Sequence, residues 1–377
     1  MNKSICIVST GRLQVEHPSR NRVLSIIEGF IDGGYDVCVI TMDTPDYTLF
    51  EHERFTHKKI SFIDTKTASF FKRTWLETKA SIKVLKVARA HDYDAVLITI
   101  PSIFTLFMSF LLSSKKYNIL DVRDLAWEYL PEAGFVTPVA KKVFRWAAYF
   151  SVKKFDLISV TNDYQYNYMQ KLSGSASVVS VPNGVSRAVY DKTSTVSSSN
   201  STSKIVSYVG NIGLGQDLST LVEVSKKLPD CIFNIVGDGT DFERIKGLID
   251  SRQVNIKLYG NLSQDEVLDI YSNSDILYAQ LAPSYSGAMP SKLYEYLATG
   301  KYIVYGGQGQ AVKALSDFDN VSIVNPCSVD DLTATIHSVF SGKKYNIPSE
   351  HNKNIIKSFF IRDKIVKNLV EKVGENI

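Results

Sequence analysis

Residues 204–218 read KIVSYVGNIGLGQDL. Six residues of strand-like pattern run into a loop carrying Gly210, Gly213 and Gly215, and a helical pattern follows near 217–227. A short apolar strand that passes through a glycine loop into a helix is the opening unit of a parallel sheet. Downstream the unit repeats: CIFNIVG with a helix over 240–251, NIKLYG with a helix over 263–272, DILYA, the segment YSGAMPSKLYEYLATG (285–300), and YIVYG. Upstream, ICIVST (5–10) leads to a helix over Arg22–Asp32, which Gly33 and Gly34 end. DVCVIT, KISFID, AVLITI, YNILDV, DLISVT and SVVSV follow, with helical patterns between them. Alternating strands and helices predict parallel, doubly wound sheets covered on both faces. TSTVSSSNSTS (193–203) has nothing to bury and separates the two sets. At 377 residues the chain is longer than one core usually grows. The expected organisation is a Rossmann-like domain over 1–185, a serine-rich linker over 186–203, a second Rossmann-like domain over 204–348, and a C-terminal helix over 349–377 packing back on the first domain. Ligands of such sheets bind at the carboxyl ends of the strands, so the default site is a cleft between the domains.

Composition narrows the function. The chain is 44% hydrophobic and 22% charged, as ordinary globular proteins are. Cys6, Cys38, Cys231 and Cys327 are scattered singly and read as free thiols of a reducing compartment. MNKSICIVST enters a strand at once, without a signal-peptide layout, so the expected location is cytoplasmic. A net charge of +4 is too small for a general nucleic-acid binder. The charge is uneven, however. Lys66, Lys72, Arg73, Lys79, Lys83, Lys86 and Arg89 face the single acid Glu77, among Phe70, Phe71, Trp75 and Leu76; KKVFRWAAYFSVKKF (141–155) repeats the mixture. Bases with aromatic rings between them suit an anionic membrane surface; the plainer reading is a solvated helix face over core aromatics. AVLITIPSIFTLFMSFLL (95–112) is long enough to count as a spanning candidate, but Pro101-Ser102 splits it into a buried strand and a short helix.

Two places suit phosphate. The glycines of 210–216 let backbone amides approach an anion ahead of a helix start; their spacing matches neither the dinucleotide fingerprint nor the P-loop, and a tight strand-to-helix turn without a ligand fits them equally. VGDGTD (236–241) resembles it, and there Gly237 and Gly239 read as structural turn residues. In 285–300, Pro290 fits a first helical turn. The amides around Ser291 and Lys292, with the Lys292 ammonium, suit a diphosphate. Glu295, one turn on, suits the vicinal hydroxyls of a ribose. Without a ligand, Lys292 and Glu295 form an ordinary i, i+3 pair. DYD (92–94) and DFD (317–319) read as surface turns rather than metal sites, and no histidine pair or cysteine cluster has ligand spacing.

YVGNIGLGQDL, FNIVGDGTDFERI, VNIKLYGNLSQDEVLDIYSNSDILYA and MPSKLYEYLATGKYIV, with DVRDLAWEYL and VPNGV in the first half, resemble the retaining glycosyltransferases of family 4. The resemblance is greatest to the bacterial surface-polysaccharide branch related to N-acetyl-fucosamine transferases. It implies a GT-B fold and a nucleotide-sugar donor, with Glu295 as the second glutamate of an E-x7-E motif whose first glutamate falls at Gly287. The basic pair that grips the diphosphate in the family falls at Asn211 and Gln216, which leaves Lys292 as the substitute. The first-domain histidine falls at Arg123, beside Asp124. HPSRNRV (17–23) occupies the loop that approaches sugar and acceptor, which nominates Arg20 and Arg22 for acceptor phosphate; the plainer reading is a helix start with solvated arginines. His17 is a further candidate that nothing in the sequence orients.

The expectation is therefore a cytoplasmic enzyme at the inner face of the plasma membrane. It moves a sugar from a UDP-sugar to an undecaprenyl-diphosphate-linked saccharide in O-antigen or capsule synthesis, without a metal or other cofactor. Donor binding falls to Gly210, Asn211, Gly213, Gln216, Asp238, Ser291, Lys292 and Glu295, and catalysis to Lys292, Arg123 and Asp124. Alternatives are a UDP-sugar 2-epimerase, which shares the architecture, and a non-catalytic partner subunit of a transferase.

Overall fold

The computed structural model describes residues 3–14, 18–61, 70–100, 103–125, 127–128, 136–197, 203–250, 252–343, 345 and 347–377. His17, Lys66, Pro101-Ser102 and the serine tract 198–202 lie outside them.

The first half contains β1 (Ser4–Val8), α1 (Pro18–Asp32), β2 (Asp36–Thr41), β3 (Phe55–Lys59), α2 (Phe70–Arg89), β4 (Ala95–Ile100), α3 (Ile103–Phe107), a 3₁₀ turn (Met108–Leu111), β5 (Tyr117–Val122), α4 (Val136–Val152), β6 (Leu157–Val160), α5 (Asp163–Leu172) and β7 (Ser177–Ser180). The second contains α6 (Arg187–Thr193), β8 (Lys204–Val209), α7 (Ser219–Lys227), β9 (Cys231–Val236), α8 (Phe242–Leu248), β10 (Ile256–Leu258), α9 (Gln264–Asn273), β11 (Ile276–Gln280), a 3₁₀ turn (Pro283–Tyr285), α10 (Lys292–Thr299), β12 (Tyr302–Gly306), α11 (Gln310–Leu315), β13 (Val321–Val324), α12 (Val329–Ser341) and α13 (Glu350–Phe359); α14 (Arg362–Gly374) closes the chain.

Two compact units result: Met1–Asn183 with Arg362–Ile377, and Gly184–Ile361. The first holds a seven-stranded parallel sheet in the order β3-β2-β1-β4-β5-β6-β7; the second holds a six-stranded parallel sheet in the order β10-β9-β8-β11-β12-β13. The central strands are buried from end to end (AVLITI of β4, ILYAQ of β11) because helices cover both faces of each sheet. In the first unit one core joins β1, β2, β4 and β5 to α2 through α5, and the other joins them to α1 and α14. Residues 95–112 form β4, α3 and the 3₁₀ turn. Among the described residues no helix is long and apolar enough to cross a membrane.

Several boundaries differ from the sequence reading. The edge strand lies at Phe55–Lys59, where Phe55 pairs with Val37 on an edge that tolerates His57 and Lys58; the strand expected at KISFID (59–64) falls partly on residues 62–64, outside the described ones. Helix α1 begins at Pro18, so Arg20 and Arg22 sit in its first turns. The linker span begins as a helix: Ser186 caps α6, whose Tyr190 and Thr193 are buried. Residues 349–377 are not one helix. Helix α13 packs on α10 in the second unit, and α14 packs on α1 in the first. Strand β13 was not anticipated.

Candidate active site

In the second sheet the strand order reverses between β8 and β11, and the carboxyl ends of strands at such a reversal are where ligands of these sheets bind. The loop after β8 rests on the loop after β9. Gly210 N donates to Val236 O (2.9 Å), Ile212 N to Asp238 O (2.9 Å), and Asp241 N to Ile212 O (2.9 Å). That contact is between backbones. A Cβ at Gly237, whose φ is +130°, would stand 1.8 Å from Gly210 O, and one at Gly239 would stand 2.3 Å from Ile212 O. Gly237 and Gly239 thus permit the stacking of the two loops. Asp238 is exposed, and its Oδ1 accepts from the amide of Gly239 (2.7 Å).

Within the β8 loop, Asn211 Nδ2 donates to Gln216 Oε1 (3.3 Å), and the two side chains bracket the buried Gly213. Gly215 lies against the ring of Tyr285, and Ala282 N donates to Gly215 O (2.8 Å). Buried Gln280, the last residue of β11, braces the loop from below. Its Nε2 donates to Gln216 O and Asp217 O (both 3.0 Å), while its Oε1 accepts from Tyr278 OH and Cys327 N (both 2.8 Å).

Helix α10 starts beside this loop. Ser291 occupies the N-cap position in helical conformation and its side chain makes no capping bond. Tyr296, buried, clamps the helix to the end of β8: its hydroxyl donates to Val209 O (3.0 Å) and accepts from Val209 N (2.7 Å). On the adjacent turn Lys292 Nζ donates to Glu295 Oε2 (2.9 Å), and Tyr271 OH donates to the same oxygen (3.3 Å). Both charged side chains are about a third exposed (31% and 27%) and so remain open to a ligand. Burial, then the Glu295 charge, raise the Tyr271 phenol well above its ordinary range and keep it a donor. Gly287 is buried in the turn before the helix. A wider opening lined by Tyr302, Asp319, Asn320, Ser349 and His351 lies at the amino ends of β12 and β13, away from these loops.

In the first unit the nominated residues separate. Arg22, expected to face acceptor phosphate, is buried in the scaffold. Its Nη2 donates to Asp121 Oδ1 (2.6 Å), its Nε to Asp121 Oδ2 (3.1 Å) and its Nη1 to Val181 O (2.8 Å). Asp121, wholly buried, also accepts from Thr99 (2.9 Å) and Ser159 (2.6 Å). Burial alone would push its carboxyl up, but Arg22 and the hydroxyls prevail and hold it below the usual range. At 4% exposure Arg22 is turned into the scaffold rather than toward an acceptor. Arg20 is partly exposed, with Nε donating to Leu13 O (2.7 Å).

Arg123 and Asp124 follow β5 and are half-buried. The Arg123 backbone is pinned, its carbonyl accepting from Gln165 Nε2 (2.8 Å). Among the described residues neither its guanidinium nor the Asp124 carboxylate has a hydrogen-bond partner. Burial, opposed by Arg123 and Arg22, raises the Asp124 carboxyl; burial likewise lowers the Arg123 guanidinium. The pinned backbone thus holds two oppositely charged, half-buried side chains next to each other. The next turn is tied down as well: Trp127 Nε1 donates to Tyr168 OH (2.9 Å), and Tyr168 OH and Arg145 Nε donate to Glu128 Oε1 (2.9 and 2.7 Å).

No group of three or more His, Cys, Asp or Glu suited to a metal occurs among the described residues. Asp92 pairs with Lys116 and Asp94 accepts from Ser4 N (2.8 Å), as a surface turn would. Three supports of the site were not read from the sequence: Gln280, Tyr271 and Tyr296. Each is a polar residue in an apolar pattern, which is the signal that was available.

Residues 190–358 match the family model described as glycosyl transferases group 1. Over 150 residues the chain is 29% identical to a putative colanic acid biosynthesis glycosyl transferase, WcaI, of Escherichia coli (strain K12); the match spans 38% of this chain and little more than a third (37%) of that relative. The sucrose-phosphate synthase of Thermosynechococcus elongatus superposes with TM-score 0.78 at 14% identity, covering 99% of both chains. Anabaena HepE, solved in complex with UDP and glucose, superposes with TM-score 0.71 at 14% identity, covering 99% of this chain and 100% of its own. Residues 190–358 thus resemble the group 1 glycosyl transferases, and the two parallel α/β sheets have the GT-B fold of the structures on which the chain superposes.

Proposed function

We propose that the chain transfers a sugar from UDP to a lipid-linked saccharide during assembly of a bacterial surface polysaccharide, working at the inner face of the plasma membrane on an undecaprenyl-diphosphate-linked acceptor. The observation that carries the donor assignment is the pair Lys292–Glu295, held by Tyr296 at the end of β8 beside the glycine loop. An ammonium and a carboxylate one helical turn apart match a diphosphate and the ribose hydroxyls attached to it. Amides around Ser291 and of the 210–216 loop, with Asn211 and Gln216 at its rim, complete the phosphate cradle. Asp238, as an exposed acid, belongs at the sugar or base end rather than the diphosphate.

On the acceptor side, Arg123 and Asp124 are the groups with charge to spend, and Arg20 is the remaining arginine for acceptor phosphate. Positioning, and cationic stabilisation of the departing diphosphate, supply the rate enhancement. The likeness to a putative colanic acid transferase and the UDP bound to HepE support this choice of pathway class and nucleotide. Thermal unfolding with a nucleotide and nucleotide-sugar panel tests it. UDP and one UDP-sugar are expected to raise Tm, and that UDP-sugar to be hydrolysed slowly by the chain alone. Absence of stabilisation by every uridine nucleotide would overturn the donor assignment.

A further inference from the structure

Helix α4 sends Ala148 and Val152 into the core, with Phe144 half-buried beside them. On its opposite side Val139, Val143, Trp146 and Phe150 follow at i, i+4, i+7 and i+11, and they are 62, 53, 67 and 51% exposed. Large apolar side chains exposed singly need no explanation; four on one stripe over three turns do. Charge borders the stripe. Lys142 and Lys153 lie along one side of it, both exposed, and α4 contains no acidic residue. Lys153 Nζ sits 3.7 Å from the centre of the Tyr149 ring.

Neighbouring elements continue the pattern. The 3₁₀ turn that packs on both α2 and α4 exposes Phe110, and α2 exposes Trp75 with Lys79 Nζ 4.9 Å from its ring. Three adjoining elements therefore present rings, two of them beneath an ammonium. Apolar rings with cations at their margin complement an interface that is hydrocarbon below and phosphate above. Helix α4, at 17 residues, spans about 25 Å, and among the described residues no helix is long and apolar enough to cross a bilayer.

We propose that α4 is the membrane-docking element of this protein. It rests in the headgroup zone of an anionic bilayer with Trp146 and Phe150 inserted and Lys142 and Lys153 on lipid phosphates. The proposal rests on the reading that the acceptor is lipid-linked. It differs from an attraction spread over the bases of α2 in making the apolar stripe of α4 the main anchor.

The test mixes the full chain with vesicles of phosphatidylcholine and phosphatidylglycerol, or of phosphatidylcholine alone, and measures co-sedimentation and quenching of tryptophan emission by brominated acyl chains. The wild type should bind the mixed vesicles and be quenched. Trp146→Ser/Phe150→Ser replaces exposed groups only; it should keep the wild-type Tm, lose about tenfold or more in partitioning, and lose most of the quenching. Lys142→Gln/Lys153→Gln should lose about tenfold, an effect that high salt mimics. Wild-type protein that ignores the mixed vesicles at low salt, or a serine double variant that binds them as well as wild type, overturns the proposal. So does a wild-type dimer in sedimentation that the serine substitutions dissociate, since a second copy would then cover the stripe. UDP-dependent stabilisation, measured in the same preparations without vesicles, separates the two readings. Its loss defeats the donor assignment, whereas intact UDP binding without vesicle binding defeats only the docking.

Discussion

Glu295→Gln removes one charge from the proposed ribose site while keeping an acceptor for Tyr271 and Lys292. The structure dictates that choice over alanine. Tyr271 is buried and its hydroxyl donates to Glu295 Oε2 (3.3 Å), so Glu295→Ala would strand a buried donor at about 1–3 kcal/mol of stability. A ligand defect in the alanine variant would then be hard to distinguish from a folding defect. Glutamine avoids this; only the partly exposed pair with Lys292 is lost, worth about 0.3–0.5 kcal/mol. Bonds from ribose hydroxyls to a carboxylate contribute about 1.5–3 kcal/mol. Removing their charge should weaken UDP about 10- to 150-fold, at about 1.4 kcal/mol per tenfold. Titration calorimetry with UDP reads the affinity, and a thermal scan without ligand shows that the fold is intact. Glu295→Gln that binds UDP within twofold of wild type, at unchanged Tm, would refute the assignment of Glu295 to the ribose.

Lys292→Gln should lower kcat about 10- to 100-fold while leaving uridine affinity unchanged, because its charge is needed where the diphosphate departs; equal losses for uridine and UDP in calorimetry would show that it does not read phosphate. Arg22→Met should cost about 3–5 kcal/mol in denaturant unfolding at neutral pH, since it leaves Asp121 ionised and buried. The Asp121 carboxyl is depressed in the folded chain, so the stabilisation from its pairing is present above the unfolded carboxylate range and lost as pH falls through the folded value; the deficit of Arg22→Met should shrink in acid. Asp124 has the opposite sign. Its carboxyl is raised, so its ionised form costs stability at neutral pH and the cost fades in acid. Asp124→Asn should raise Tm by about 2–4 °C at neutral pH, less in acid, and abolish transfer; a lower Tm would make Asp124 a structural residue.

The fold was legible where burial imposes a pattern. AVLITI and DILYA are strands because helices on both sides leave only apolar residues there. Edges and short pieces were less so. Phe55–Lys59 pairs on one side only, and its polar residues conceal it behind the more strand-like KISFID. Helix α6 holds its place by burying Tyr190 and Thr193, a tertiary fact that a serine-rich context obscures. Within the site, Lys292 and Glu295 were legible because their spacing on one helix brings them together whatever the rest does. Arg22 was not. In a polar HPSRNRV string it looks solvated, while the partner that buries it, Asp121, lies 99 residues away. Gln280 reaches the Gln216 carbonyl across 64 residues in the same manner.

On the proposed donor assignment, the Lys292–Glu295 pair would let one basic residue serve where a basic pair is expected. In the free chain each side chain satisfies the other, at an exposure where the pair contributes only about 0.3–0.5 kcal/mol. Little would be lost, then, if a donor separated them, the ammonium turning to the diphosphate and the carboxylate to the ribose as proposed. Their positions need no rearrangement of the helix, because Tyr296 has already fixed α10 against Val209 and Tyr271 holds one oxygen of Glu295. The ordering cost of the site was met during folding, so most of the new bonding appears as affinity. Asn211 and Gln216, being neutral, bond to each other instead of competing for the phosphate. In the proposed site, backbone amides would supply what a second base would, and the Gly237–Gly210 contact and the Gln280 brace hold their loop in place.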